Sequence, residues 1–175
     1  MPLTKKMIQN LWKMRRTFTV HKDGIKKFLP KNDEALTESG IESLDIFQTC
    51  DEKTITSKAP RAKQSEFGLK GYFNSRLAYL NIIEYANLLA SIFVLIMNEG
   101  VKKFPTLLET SYEFIHSIMD GGEITIEVKF LKEELQESKK CIYHFSYETT
   151  KLINPDDQLK ILLAKGLIKI RADIK

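Results

Sequence analysis

From Ile82 to Met97 the chain is apolar on nearly every side of a helix. Asn81 provides an N-cap and Glu84 follows at the capping-box spacing, in which cap and carboxylate satisfy each other's free amides. Asn98 and Gly100 supply the stop. A helix of this length without a solvent face belongs inside a core rather than on a surface. The surroundings are of ordinary globular kind, with 175 residues, 43% hydrophobic and 29% charged. That is the size of one domain and excludes collagen, wholesale disorder and a disulfide scaffold. The longest apolar stretch, 88–97, falls short of the roughly 20 residues a bilayer span needs. The N-terminal lysines lack a following apolar run and cleavage site, so neither secretion nor membrane spanning is expected. Cys50 and Cys141 fit a reducing compartment or incidental thiols.

Around the helix the periodicity changes. Residues 67–76 alternate well enough for a strand. Thr106 and Glu109 repeat the capping-box spacing after Pro105, which predicts a second helix from Leu107 to Met119 ending at Gly121. Ile124, Ile126, Val128 and Phe130 alternate with Thr125, Glu127 and Lys129, the period of a half-buried strand. A polar connection from Glu133 to Lys140 leads to another strand, Cys141 to Glu148, most simply its hairpin partner. Asn154, Pro155, Asp156 and Asp157 read as a third helix start, stopped at Gly166. Ile168, Ile170, Ala172 and Ile174 form a last strand. The expectation is an α+β fold, a small antiparallel sheet packed with helices on one face.

Charge divides the chain differently. Residues 1–31 hold nine bases and one acid, residues 32–52 seven acids and no base, and residues 53–76 return to a net +5. From residue 77 onward the signs nearly cancel. With sustained periodicity starting only after residue 65, this predicts a flexible charged N-terminal arm, 1–60 (basic 1–31, acidic 32–52), before a globular core, 61–175. Such blocks either keep an arm solvated or dock it on polyanions or on another copy. Within the arm, residues 3–16 place Met7, Leu11 and Met14 on one stripe beside Ile8 and Trp12, flanked by Lys5, Lys6, Lys13 and Arg16. A tryptophan among lysines suits an anionic membrane surface. An ordinary helix docking on protein has the same pattern.

Catalytic signatures are sparse. Glu127-Val-Lys129 matches the Glu-x-Lys pair of metal-dependent nucleases, yet the second carboxylate that chemistry needs is missing nearby and the pair lies on the polar face of a strand. His21, His116 and His144 are not at zinc-ligand spacing with either cysteine. The eight glycines form no nucleotide-binding loop. No metal and no cofactor are expected.

Gly122-Glu-Ile-Thr-Ile-Glu127, then Glu133-Glu134, then Leu162-Leu-Ala-Lys-Gly-Leu-Ile168 resemble, in order and pattern, the core of rhabdovirus matrix proteins. The segment 67–93 is similar to that family's first strand and helix, and the chain length and basic leader resemble the plant-infecting cytorhabdovirus members. PPxY and PTAP budding motifs are absent, which fits a plant host. The resemblance implies a non-enzymatic virion protein in host cytoplasm and internal membranes. It would condense the viral nucleocapsid, bind an anionic membrane surface and an envelope glycoprotein tail, and form a homo-oligomer. Lys5, Lys6, Trp12, Lys13, Arg15, Arg16, Lys22, Lys26 and Lys27 would meet membrane or phosphate. Met7, Ile8 and Leu11 with Asp33, Glu34, Glu38, Glu42 and Asp45 would mediate self-association. A nucleic-acid-binding accessory protein, or a nuclease using Glu127 and Lys129, are the alternatives.

Overall fold

The computed structural model describes residues 4–14, 18–21, 43–48, 53–58, 75–98, 101, 103, 105–116, 124–154 and 156–174. A first helix, α1 (Lys5–Lys13), starts where Thr4 accepts the Met7 amide at 3.2 Å. The long helix α2 (Ser75–Met97) lies against one antiparallel sheet. Its strands are β1 (Phe18–His21), β2 (Ser43–Gln48), β3 (Thr54–Lys58), β4 (Thr106–Thr110), β5 (Glu113–Phe114), β6 (Ile124–Gln136), β7 (Lys140–Asn154) and β8 (Leu159–Asp173). They run in the order β1-β2-β3-β6-β7-β8-β4, with β5 also on β8.

Period-2 sequence drives the sheet. On β7, Cys141, Tyr143, Phe145, Tyr147 and Thr149 are all buried, and Ile126, Val128, Ile168 and Ile170 join them from the neighbouring strands. Burying this face against α2 supplies the main stabilisation, about 25 cal/mol for each Å² of apolar surface removed from water. An aromatic column ties the layers together: Trp12 of α1 meets Phe93 of α2 at 5.2 Å, Phe93 meets Phe145 at 5.6 Å, and Phe145 meets Phe130 at 5.9 Å.

The α+β class and the buried central helix stand as expected, but the sheet is large, with eight strands among the described residues, and four local assignments are corrected. Helix α2 begins at Ser75, so Asn81 is inside it and Ser75 and Arg76 are helical; 67–74 lie outside the described residues. The stretch expected as a second helix is the edge strand β4 followed by β5, and its remainder, 117–119, is outside the described residues. Its capping-box spacing is overridden by a ladder to β8, in which Glu109 lies opposite Lys169. The third expected helix is the β7–β8 turn and strand β8. The side chain of Asn154 accepts the Asp156 amide at 3.0 Å, and an asparagine does this in a turn as readily as at a helix start. Thr54–Lys58, expected within a flexible stretch, is strand β3 with Ile55 fully buried. The β6–β7 hairpin is as expected, with a tighter turn in which Ser138 and Lys139 take left-handed backbone.

Candidate functional site

From Ile82 to Ile96 helix α2 is almost wholly buried, which makes the polar residues there conspicuous. Glu84 is its single acid, and Asn87 and Ser91 continue from it at helical spacing, so the three lie along one stripe. Glu84 is exposed and Asn87 is half-buried. The Ser91 hydroxyl donates to the backbone carbonyl of Asn87 at 2.9 Å. The Asn87 side-chain oxygen is itself buried without a hydrogen-bond partner. A polar atom so placed costs about 1–3 kcal/mol unless something comes to meet it. Tyr85, next to Glu84 and about 100° around the helix from it, is buried, where its hydroxyl donates to the Lys58 carbonyl at 3.0 Å and lies 3.0 Å from the Ser57 hydroxyl. Further along α2, Gln9 of α1 donates its amide to the Leu95 carbonyl at 3.0 Å. A carboxylate and a carboxamide oxygen one turn apart can accept both protons of a single water and leave its lone pair free.

The residues picked out from sequence lie elsewhere. Ile8 and Trp12 are buried on α2, Leu11 is half-buried beside them, and Lys6, Met7 and Lys13 are exposed on α1. Lys5 is in α1, and Asp45 is in β2 opposite Thr19. Arg15, Arg16, Lys22, Lys26, Lys27, Asp33, Glu34, Glu38 and Glu42 lie outside the described residues. The structure therefore brings Ile8, Leu11 and Trp12 together, in the interior of their own chain.

Glu127 and Lys129 are exposed on β6, with Glu148 directly across from Glu127 on β7. The two carboxylates face open solvent on the sheet surface turned away from α2. Among the described residues no three histidine, cysteine or acidic side chains gather to hold a metal ion. The same surface carries a transverse row, Lys132, His144, Lys169 and Glu109. Lys169 donates to Glu109 at 2.7 Å, which holds that carboxyl below its ordinary range and raises the lysine. Glu134 is likewise lowered, chiefly by its hydrogen bond from Lys132, and lies 3.4 Å from the imidazole of His144. Cys141 is buried, and burial pushes its thiol up, the reverse of nucleophile activation.

Sequence reading gave Glu84 a capping role because Asn81 precedes it by three residues. The overlooked signal was that this is the lone acid of a buried helix, at one-turn spacing from Asn87.

No family model matches the chain, and no curated protein matches it either. Solved structures do. Zebrafish thioesterase superfamily member 2 is similar at 11% identity and a TM-score of 0.54, with 97% of this chain and 98% of that one covered. A hypothetical thioesterase of Streptococcus pneumoniae, solved with coenzyme A, is similar at 11% identity and a TM-score of 0.51, covering 75% and 87%. A Streptococcus mutans protein bound to acetyl CoA is similar at 14% identity and a TM-score of 0.50, covering 75% and 90%. Their shared architecture is the hotdog fold, a sheet packed on one long helix. This overturns the matrix-protein resemblance and what it implied: the non-enzymatic virion role, the nucleocapsid, glycoprotein-tail, membrane and assembly partners, and the virion location. The short pieces that suggested it lie in strands where described, 124–127 and 133–134 in β6 and 162–168 in β8, and strand pieces of this kind occur in any half-buried sheet. The nuclease and nucleic-acid alternatives gain no support.

Proposed function

We propose that this chain hydrolyses acyl thioesters, with Glu84 as general base and Asn87 as its partner in holding the attacking water. The observation that carries the reading is the polar stripe on α2: one carboxylate and one unpartnered carboxamide oxygen within a stretch, 82–96, that is mostly core. The hotdog neighbours supply the class of reaction, since two of them are described as thioesterases and one of these was solved with coenzyme A.

The water donates one hydrogen to the Glu84 carboxylate and the other to the Asn87 oxygen. Its oxygen attacks the thioester carbonyl carbon while Glu84 takes the proton. The carbon–sulfur bond then breaks, the carboxylic acid leaves, and the proton on Glu84 passes to the departing thiolate. General-base assistance of this kind contributes about 100-fold or more in rate.

The test is release of free thiol from a panel of acyl-CoA esters of increasing chain length. The wild-type chain is expected to turn over at least one of them, and Glu84→Gln to lose about 100-fold in kcat. An active wild type whose rate is untouched by Glu84→Gln refutes the assigned base. A wild type inactive on the whole panel refutes the reaction.

A further inference from the structure

We infer that Tyr85 is a positioning residue for Glu84, fixing the rotation of α2 about its own axis; this rests on the hydrolytic reading above. The buried side of helix α2 includes Leu89, Ile92 and Phe93, all three without measurable exposure. Apolar contact is non-directional and by itself tolerates small rotations and slides of a smooth helix. Directional bonds remove that freedom.

Among the described residues two such tethers join the helix to the sheet, one at its middle, Tyr85, and one just past its C-terminus, Asn98. Near its C-terminus, the Asn98 amide donates to the Tyr143 hydroxyl at 2.9 Å. Near the site, Tyr85, with 1% of its surface exposed, donates to the Lys58 carbonyl and lies within 3.0 Å of the Ser57 hydroxyl, whose residue is fully buried. Ser57 stands opposite Ile126 in the ladder between β3 and β6, so the Tyr85 anchor is held by the sheet itself.

Glu84 precedes Tyr85 by one residue, which is about 1.5 Å along the axis and about 100° around it. A carboxylate carried about 6 Å from the helix axis moves about 1 Å for each 10° of rotation. A displacement of about 1 Å in a catalytic group can cost about 100-fold in rate. The C-terminal tether is about 20 Å from Glu84 along the helix and has little hold on its rotation.

The experiment compares Tyr85→Phe with Tyr143→Phe, each of which deletes one phenolic hydroxyl under α2. Both variants are expected to lose stability to a similar degree. Tyr85→Phe is expected to lower kcat about 10-fold or more with little change in KM, and Tyr143→Phe to stay within about 2-fold of wild type. Ser57→Ala, which leaves the Lys58 contact in place, is expected to reproduce a smaller part of the Tyr85→Phe effect. Hydrogen exchange supplies a readout that needs no activity: amides 82–88 lose protection in Tyr85→Phe and keep it in Tyr143→Phe. Equal kcat losses in the two tyrosine variants, or unchanged exchange at 82–88 in Tyr85→Phe, overturn the positioning role. A wild type without hydrolysis removes the reaction, and the exchange data then decide the tether alone.

Discussion

Gly166 offers the sharpest test of the packing. It lies in β8 opposite Tyr147, in a strand where an ordinary side chain would be expected. A Cβ built there would stand 1.9 Å from the Ser111 carbonyl oxygen and 2.7 Å from Cε1 of Tyr147. Ordinary contact begins near 3.4 Å, so backbone and ring would each have to yield. A tyrosine ring can tilt; a backbone carbonyl cannot. Ser111 is tied to β8 by its amide to the Leu167 carbonyl at 2.8 Å and by the Leu167 amide to its hydroxyl at 3.1 Å, and it accepts the Tyr147 hydroxyl at 3.3 Å. Overpacking costs about 1–3 kcal/mol. Loosening two of those bonds adds about 1 kcal/mol each. Gly166→Ala should therefore lose about 3–5 kcal/mol in urea-induced unfolding, a large share of a domain's whole stability. Hydrogen exchange should show the damage first at the Ser111 and Ile115 amides, whose partners are the Leu167 and Leu163 carbonyls. Because the principal clash is with backbone, trimming Ser111 to alanine should not rescue the variant. A loss below about 1 kcal/mol would show that the edge can move aside at little cost, and the reasoning would fail.

Asn87→Leu should gain about 1 kcal/mol in thermal or urea unfolding, by removing an unpaired buried acceptor, while losing thioester hydrolysis. Burial, before any other cause, lifts the Tyr143 and Tyr147 hydroxyls to about 12 from 10, so the folded state keeps them neutral after the unfolded chain has ionised. Stability should then be full below pH 10 and fall from there to about 12, and phenylalanine at either position should shallow that alkaline decline in a melting-temperature scan. The lowered carboxyl of Glu109, held chiefly by its hydrogen bond from Lys169, acts in the opposite sense. Its contribution is present above the ordinary 4.5 and is lost as pH falls below it, so Glu109→Gln should flatten the acid limb, by little because the pair is exposed.

Period-2 strands such as Ile124–Phe130 and the all-round apolar helix were legible in the sequence because burial writes them directly into residue choice. The errors share one cause. Thr106 with Glu109, and Asn154 with the acids after it, are local signals that cap a helix or shape a strand end equally well, and long-range pairing with β8 decides between the two. That pairing spans about sixty residues for Glu109 and Lys169, beyond the reach of any window. Charge and burial divide α1 between two faces. Lys6 and Lys13 are exposed while Ile8 and Trp12 between them are buried, so a cationic stripe described the solvent side of a helix whose other side docks on α2.

The hotdog architecture sets the class of fold, and at 11% identity it leaves the chemistry to this chain's own residues. Stability alone would favour apolar residues at positions 87 and 91, extending the apolar surface around them on α2. The sequence instead carries an acid, an amide whose buried oxygen is unpaired, and a hydroxyl folded back on the helix backbone. The amide and the hydroxyl depart from what a core helix requires, and they share one stripe with the exposed Glu84. Departures from local stability rules concentrate where function is exerted. That shared line, beside the Tyr85 tether, is the basis of the proposal that the chemistry lies on the central helix rather than on the charged outer sheet.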